Sequence, residues 1–105
     1  MTLAYLSARD FYRVEREEKA GTGYAYFVFY PAVNPGDDGM ILELKVDDTP
    51  QNAIRQIREK EYALGFAPKP GEKPRYTGRI LAVGIAYDRK TKRHSCAVEI
   101  LRERL

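Results

Sequence analysis

The stretch Met40 to Tyr62, MILELKVDDTPQNAIRQIREKEY, constrains the chain most because its hydrophobic period changes part-way along. Met40, Leu42, Leu44 and Val46 alternate with Ile41, Glu43 and Lys45, a two-residue period that predicts a buried strand. Glu43 and Lys45 therefore share a face that the rest of the fold should cover. Thr49 then offers an N-cap hydroxyl, and Pro50 a first helical residue whose missing N–H costs nothing there. A helix is expected from that point, with Ala53, Ile54, Ile57 and Leu64 on its buried stripe. Gln56 and Lys60, four residues apart, line the border of the stripe, so Gln56 is placed to look back toward Glu43 and Lys45.

The chain has 105 residues, 44% of them hydrophobic and 11% aromatic, which suffices for one modest core, so residues 1–105 are read as a single domain. A formal charge of +3 permits an anionic partner without requiring one. One cysteine excludes an internal disulfide framework, and with one histidine it leaves no Cys/His zinc site. No apolar run approaches membrane-spanning length, and no basic segment leads into one at the start. A soluble, cytoplasmic protein is expected.

In chain order, Thr2 to Arg9 has helical spacing but is too short to stand alone, and reads as the end of a longer helix. Phe11 to Glu18 alternates like a half-exposed strand at or near a sheet edge, with Arg13, Glu15 and Glu17 on one face. Lys19 to Gly23 reads as a turn. Tyr24 to Tyr30 is the most aromatic segment and is expected to be a central strand. Asn34 to Gly39 has the composition of a connecting loop, which makes the strands on either side an antiparallel hairpin. Phe66 to Thr77, with three prolines, is expected to be an exposed connection. Arg79 to Tyr87 is nearly all apolar, as for a strand covered on both faces, and Gly84 within it marks a close backbone approach or a bulge. A basic turn, Asp88 to Arg93, leads into an alternating strand from His94 to Leu101. The predicted order is helix, three strands, helix, two strands: an α/β fold with a mixed sheet.

Glu43 and Lys45 carry the candidate chemistry. Two charges on a covered face are expensive unless paired or metal-bound, which marks a site, whereas on a solvated face they form an ordinary intrastrand pair. Both readings stay open at this level. Gly21-Thr22-Gly23 precedes a strand and so lacks the helix N-terminus that a phosphate-binding glycine loop uses. His94 suits a strand end, Cys96 a small core residue, and the aromatics at Tyr24, Phe27, Phe29 and Tyr30 core packing ahead of base stacking. Lys90, Lys92 and Arg93 form a polar turn that could touch a phosphate backbone.

Taken together, EREEKAGTGYAYFVFYP, ILELKVDDTPQNAIRQIREKEYALGF and YTGRILAVGIAYDRKTKRHSCAVEIL resemble the PD-(D/E)XK nuclease superfamily over about residues 5–101. The similarity is to its bacterial branch, often found with AAA-ATPase-like domains. It implies a restriction-endonuclease-like αβββαββ fold, a mixed central sheet with flanking helices. It implies a phosphodiesterase site in which Glu43 ligates Mg²⁺ or Mn²⁺, Lys45 stabilises charge or orients water, and Gln56 supports the site from the helix. The implied partner is a DNA or RNA backbone, with no base-reading element in evidence.

One position departs from the pattern. The family's second acidic ligand falls where this chain has Tyr26, a phenol that is neutral at pH 7. Glu18 and Asp47 are the nearby carboxylates, and no spacing argument brings either to the site. The family also carries a longer N-terminal helix, so the chain is expected to start part-way through it. The expected function is a nuclease-like domain in which metal-dependent hydrolysis is lost or weakened at Tyr26. The alternative is a non-enzymatic binding or homo-oligomerisation module on the same scaffold.

Overall fold

The computed structural model describes residues 11–19, 24–60 and 65–105. Its elements are β1 (Tyr12–Lys19), β2 (Tyr24–Pro31), β3 (Gly39–Val46), α1 (Pro50–Glu59), β4 (Ile80–Asp88) and β5 (Arg93–Arg102). They form one five-stranded sheet in chain order, β1-β2-β3-β4-β5. Only β3 and β4 run parallel; the other neighbours are antiparallel. A parallel pair needs a crossover, and α1 supplies it. The sheet is therefore mixed, as expected. The segments Thr2–Arg9 and Ala20–Gly23, read as a helix end and a turn, and the proposed helical residue Leu64, lie outside the described residues.

The middle strand is β3, with β2 beside it. Aromatic content had pointed to β2, but composition reports burial, whereas the crossover to β4 and β5 decides which strand has two neighbours on each side. The capped helix forms as the sequence indicates. The Asn52 backbone N–H donates to the Thr49 hydroxyl at 3.1 Å, and Pro50 opens the helix. Ala53, Ile54 and Ile57 are buried against the sheet. Among the described residues no helix is long and apolar enough to cross a membrane.

The core lies between α1 and one face of the sheet: Val28, Tyr30, Ile41, Ile54, Ile57, Phe66, Tyr76, Ile80 and Ala82. At one end three rings close it. Tyr30 and Phe66 have centroids 4.5 Å apart, and Tyr76 lies 5.5 Å from Phe66 and 5.7 Å from Tyr30. The proline-rich connection is thus exposed along its length but anchored in the core by its aromatic ends. Its prolines and charges had signalled only the exposed part.

Two expectations fail on the sheet's other face. In β4, Ile80, Ala82, Gly84 and Ala86 are buried under α1, whereas Leu81, Val83, Ile85 and Tyr87 are half-buried. An apolar run signals two greasy faces, and here only the face beneath α1 is fully covered. Cys96, expected in the core, is exposed, because β5 is an edge strand.

Gly84 is a close approach: a Cβ there would fall 2.3 Å from the Pro50 carbonyl oxygen and 3.0 Å from Ala53 Cβ. The register irregularity of the β4–β5 pair lies elsewhere, at Ile80/Leu81. Gly84→Ala must lift the start of α1 from the sheet, and overpacking of this kind costs about 1–3 kcal/mol. Urea denaturation should show a matching loss of stability.

Asp38 ties the β2–β3 loop to the start of β4. Its carboxylate accepts from the Arg79 backbone N–H and Nε at 3.2 Å and from Nη2 at 2.7 Å. The Arg79 hydrogen bond holds the Asp38 carboxyl below the usual carboxylate range. A lowered native value means stability that is complete above the unfolded-state value of 3.8 and is lost as pH falls through the native one. The thermal unfolding temperature should fall below about pH 4, and Asp38→Asn should make that decline shallower while lowering stability at neutral pH.

Candidate functional site

Strand register builds the site. Glu17 pairs with Tyr26, Tyr26 with Glu43, Glu43 with Gly84, and Gly84 with Ala97, so one row crosses all five strands. Residues paired directly across strands project to the same face. This is the face under α1, because α1 contacts the row at Gly84. The expected convergence of positions 26 and 43 is therefore present: they are direct cross-strand neighbours on the covered side.

Glu43 has no exposed surface and, among the described residues, is the only charged or polar side chain in the buried class. The solvated-face reading of the Glu43/Lys45 strand is thereby removed for Glu43. Lys45, two residues on and opposite Ala86 in β4, is half-buried, with its ammonium 3.6 Å from an Asp48 carboxylate oxygen. Asp48 also accepts from the Asn52 side-chain amide at 2.7 Å and the Thr49 N–H at 2.8 Å. These donors, Asn52 first, keep it below the usual carboxylate range. Lys45 is thus held at the start of α1, on the site's rim.

Gln56 is half-buried on α1. Arg58, two residues on, reaches across to Glu99 of β5 at 3.4 Å. Residues two apart on a helix point about 160° from one another. Gln56 and Lys60 therefore border the helix on the β3 side, the side that carries Glu43.

Tyr26 is half-buried, packs against the core, and its hydroxyl donates to Glu17 Oε2 at 2.6 Å. Glu17 was not anticipated as a site residue. Its face was legible from the alternation of Arg13, Glu15 and Glu17, but the β1–β2 register that brings it to Tyr26 was not. The carboxylates considered as substitutes are elsewhere. Glu18 stands one register step off the row, opposite Ala25. Asp47 sits at the β3–α1 corner with φ 56°, accepting from Arg89 Nε at 2.7 Å and from its N–H at 2.9 Å. His94 has the strand-end position expected of it, its ring tilted 39° against that of Tyr87 with centroids 4.8 Å apart. Lys90, Lys92 and Arg93 are exposed on the β4–β5 turn, which Asp88 shapes by accepting from the Lys90 and Thr91 N–H groups.

A carboxylate and an ammonium two residues apart on a strand, beside a helix bearing a glutamine, are joined by a family comparison: the model of the PD-(D/E)XK nuclease superfamily matches residues 1–95. The chain belongs to the PD-(D/E)XK nuclease superfamily. No curated protein and no solved structure matches it. The mixed sheet with its crossover helix is consistent with that superfamily's α/β fold.

Superfamily nucleases typically work with Mg²⁺ or Mn²⁺, hard cations that call for anionic oxygens. The oxygen donors in this row are the Glu43 carboxylate, the Tyr26 phenol directly across from it, and the Glu17 carboxylate one strand farther out, which the Tyr26 hydroxyl engages. Among the described residues no three His, Cys, Asp or Glu side chains group as a metal-holding cluster. Among the described residues, no second carboxylate stands directly beside Glu43, so they do not fit a two-carboxylate cation site.

The Tyr26–Glu17 bond is measurable by itself. In a double-mutant cycle with Tyr26→Phe and Glu17→Gln, a coupling energy of about 1 kcal/mol is expected in urea denaturation, the charge-assisted bond being screened by water.

Proposed function

We propose that this chain is a nuclease-like domain in which metal-dependent phosphodiester hydrolysis is lost or strongly weakened, because Tyr26 stands where the second metal-binding carboxylate is required. The observation that carries the reading is the direct pairing of Tyr26 with the buried Glu43. In an intact site two anionic groups at these positions would share one divalent cation. Here the second group is a phenol, and it supplies no negative charge at neutral pH.

What remains is suited to phosphate contact more than to hydrolysis. Lys45 keeps a cation on the site's rim, and Gln56 borders the same side of the helix. A DNA or RNA backbone is the partner this reading names, met through phosphates and without base readout. Association with an AAA-ATPase-like domain rests on the family resemblance alone, and a cytoplasmic setting on the single cysteine and the short apolar runs of the sequence.

The test is calorimetric titration with Mn²⁺, with plasmid nicking in parallel, on the wild type, Glu43→Ala, Tyr26→Asp and Tyr26→Asp/Glu43→Ala. Tyr26→Asp should gain at least about tenfold in Mn²⁺ affinity, since each added hard anionic ligand contributes on that scale, and Glu43→Ala should erase the gain. Nicking by the wild type that Glu43→Ala abolishes would overturn the proposal.

A further inference from the structure

The edge of β5 differs from the rest of the sheet surface. Among the described residues β5 pairs only with β4, leaving its outer backbone groups unpaired along the strand. Proteins guard such edges with prolines, bulges or lysines. None of these lies between His94 and Ile100, where the one charged carboxylate, Glu99, is drawn to Arg58 of α1. The irregularity comes after that, where Leu81 pairs with Ile100 and Ile80 with Arg102, skipping Leu101. On the face away from α1 the same strand shows Cys96, Val98 at 58% exposure and Ile100 at 44%. They extend the half-buried apolar surface of Leu81, Val83 and Ile85 to the sheet's rim.

We propose that β5 pairs antiparallel with β5 of a second copy of this chain, about a twofold axis through Ala97, joining two sheets into one of ten strands. The regular segment decides both the occupant and the register. A dyad perpendicular to the sheet keeps both α1 helices on one side and both apolar faces on the other, which requires a residue to face itself. With Ala97 on the axis, Cys96 faces Val98 of the second copy, Ser95 faces Glu99, and His94 faces Ile100. Both exposed apolar residues gain a cross-strand neighbour, and the Ser95 hydroxyl can donate to the opposing Glu99 carboxylate. Arg93 lies diagonal to the opposing Glu99, within reach of a long side chain, a contact the dyad makes twice and that offsets the approach of Lys92 to Arg102 at the ends. The two neighbouring registers are poorer. An axis at Val98 sets Glu99 against Ala97 and so forfeits the Ser95–Glu99 pair, and an axis at Cys96 leaves Ile100 opposite Lys92 of the turn.

Sedimentation of the full chain across a dilution series reaching about 100 µM should show a reversible monomer–dimer equilibrium governed by mass action. Val98→Lys should weaken it at least about tenfold, an edge lysine being the usual guard against such pairing. Val33→Lys, at an exposed apolar residue in the β2–β3 loop, should leave it unchanged. Register is read from cross-linking. Oxidised Val98→Cys should form a covalent dimer through Cys96 and the introduced thiol, while oxidised wild type and Ile100→Cys should not. A chain that stays monomeric throughout, a dimer indifferent to Val98→Lys, or cross-linking in wild type or Ile100→Cys instead would each overturn the proposal.

Discussion

The contact between α1 and β4 at Gly84 sets the depth of everything around it. Because residue 84 has no side chain, the first turn of α1 rests on the backbone of β4, with Pro50 and Ala53 above it. The same approach buries the adjoining residue of the row, Glu43, completely. A larger residue at 84 would raise the helix and let water reach the carboxylate. The isolation of the candidate site therefore follows from a packing choice one strand away.

The two ends of the covered face have separate tasks. Toward the start of β3, Tyr30, Phe66 and Tyr76 pack as a ring cluster, and the Asp38–Arg79 bonds secure the nearby loop. Farther along β3 the face turns polar, with Glu43, Lys45 and Tyr26. Burial of large aromatic and aliphatic groups stabilises the first end enough for the second to hold a buried carboxyl group, whose desolvation opposes folding. A nuclease-type scaffold can change its polar end without forfeiting its fold.

The β3–α1 unit was legible in the sequence because it carries two periods and a cap within a single stretch, so Glu43, Lys45 and Gln56 could be assigned to faces before any coordinates. Gly84 was legible as an interruption, and the structure selects close approach over bulge. Sheet position was not legible. Periodicity assigns a residue to a face but does not say which strand lies at the rim, so Cys96 was misplaced in the core and β4 was credited with two covered faces. The pairing of Glu17 with Tyr26 escaped for a related reason. Which residues of two strands stand opposite one another is fixed by hairpin register, and a shift of one residue would have sent Glu17 to the other side.

Tyr26 places a phenol, and not a second carboxylate, directly across from Glu43. A carboxylate at position 26 would stand directly across from Glu43 on a water-poor face, and like charges in that geometry repel strongly unless a cation lies between them or one takes up a proton. A tyrosine removes the repulsion, favours the strand conformation, and adds ring surface to the core edge. Its hydroxyl, still polar, is satisfied by Glu17 at the outer strand, where water can solvate the charge. A tyrosine at position 26 thus makes the covered row easier to fold.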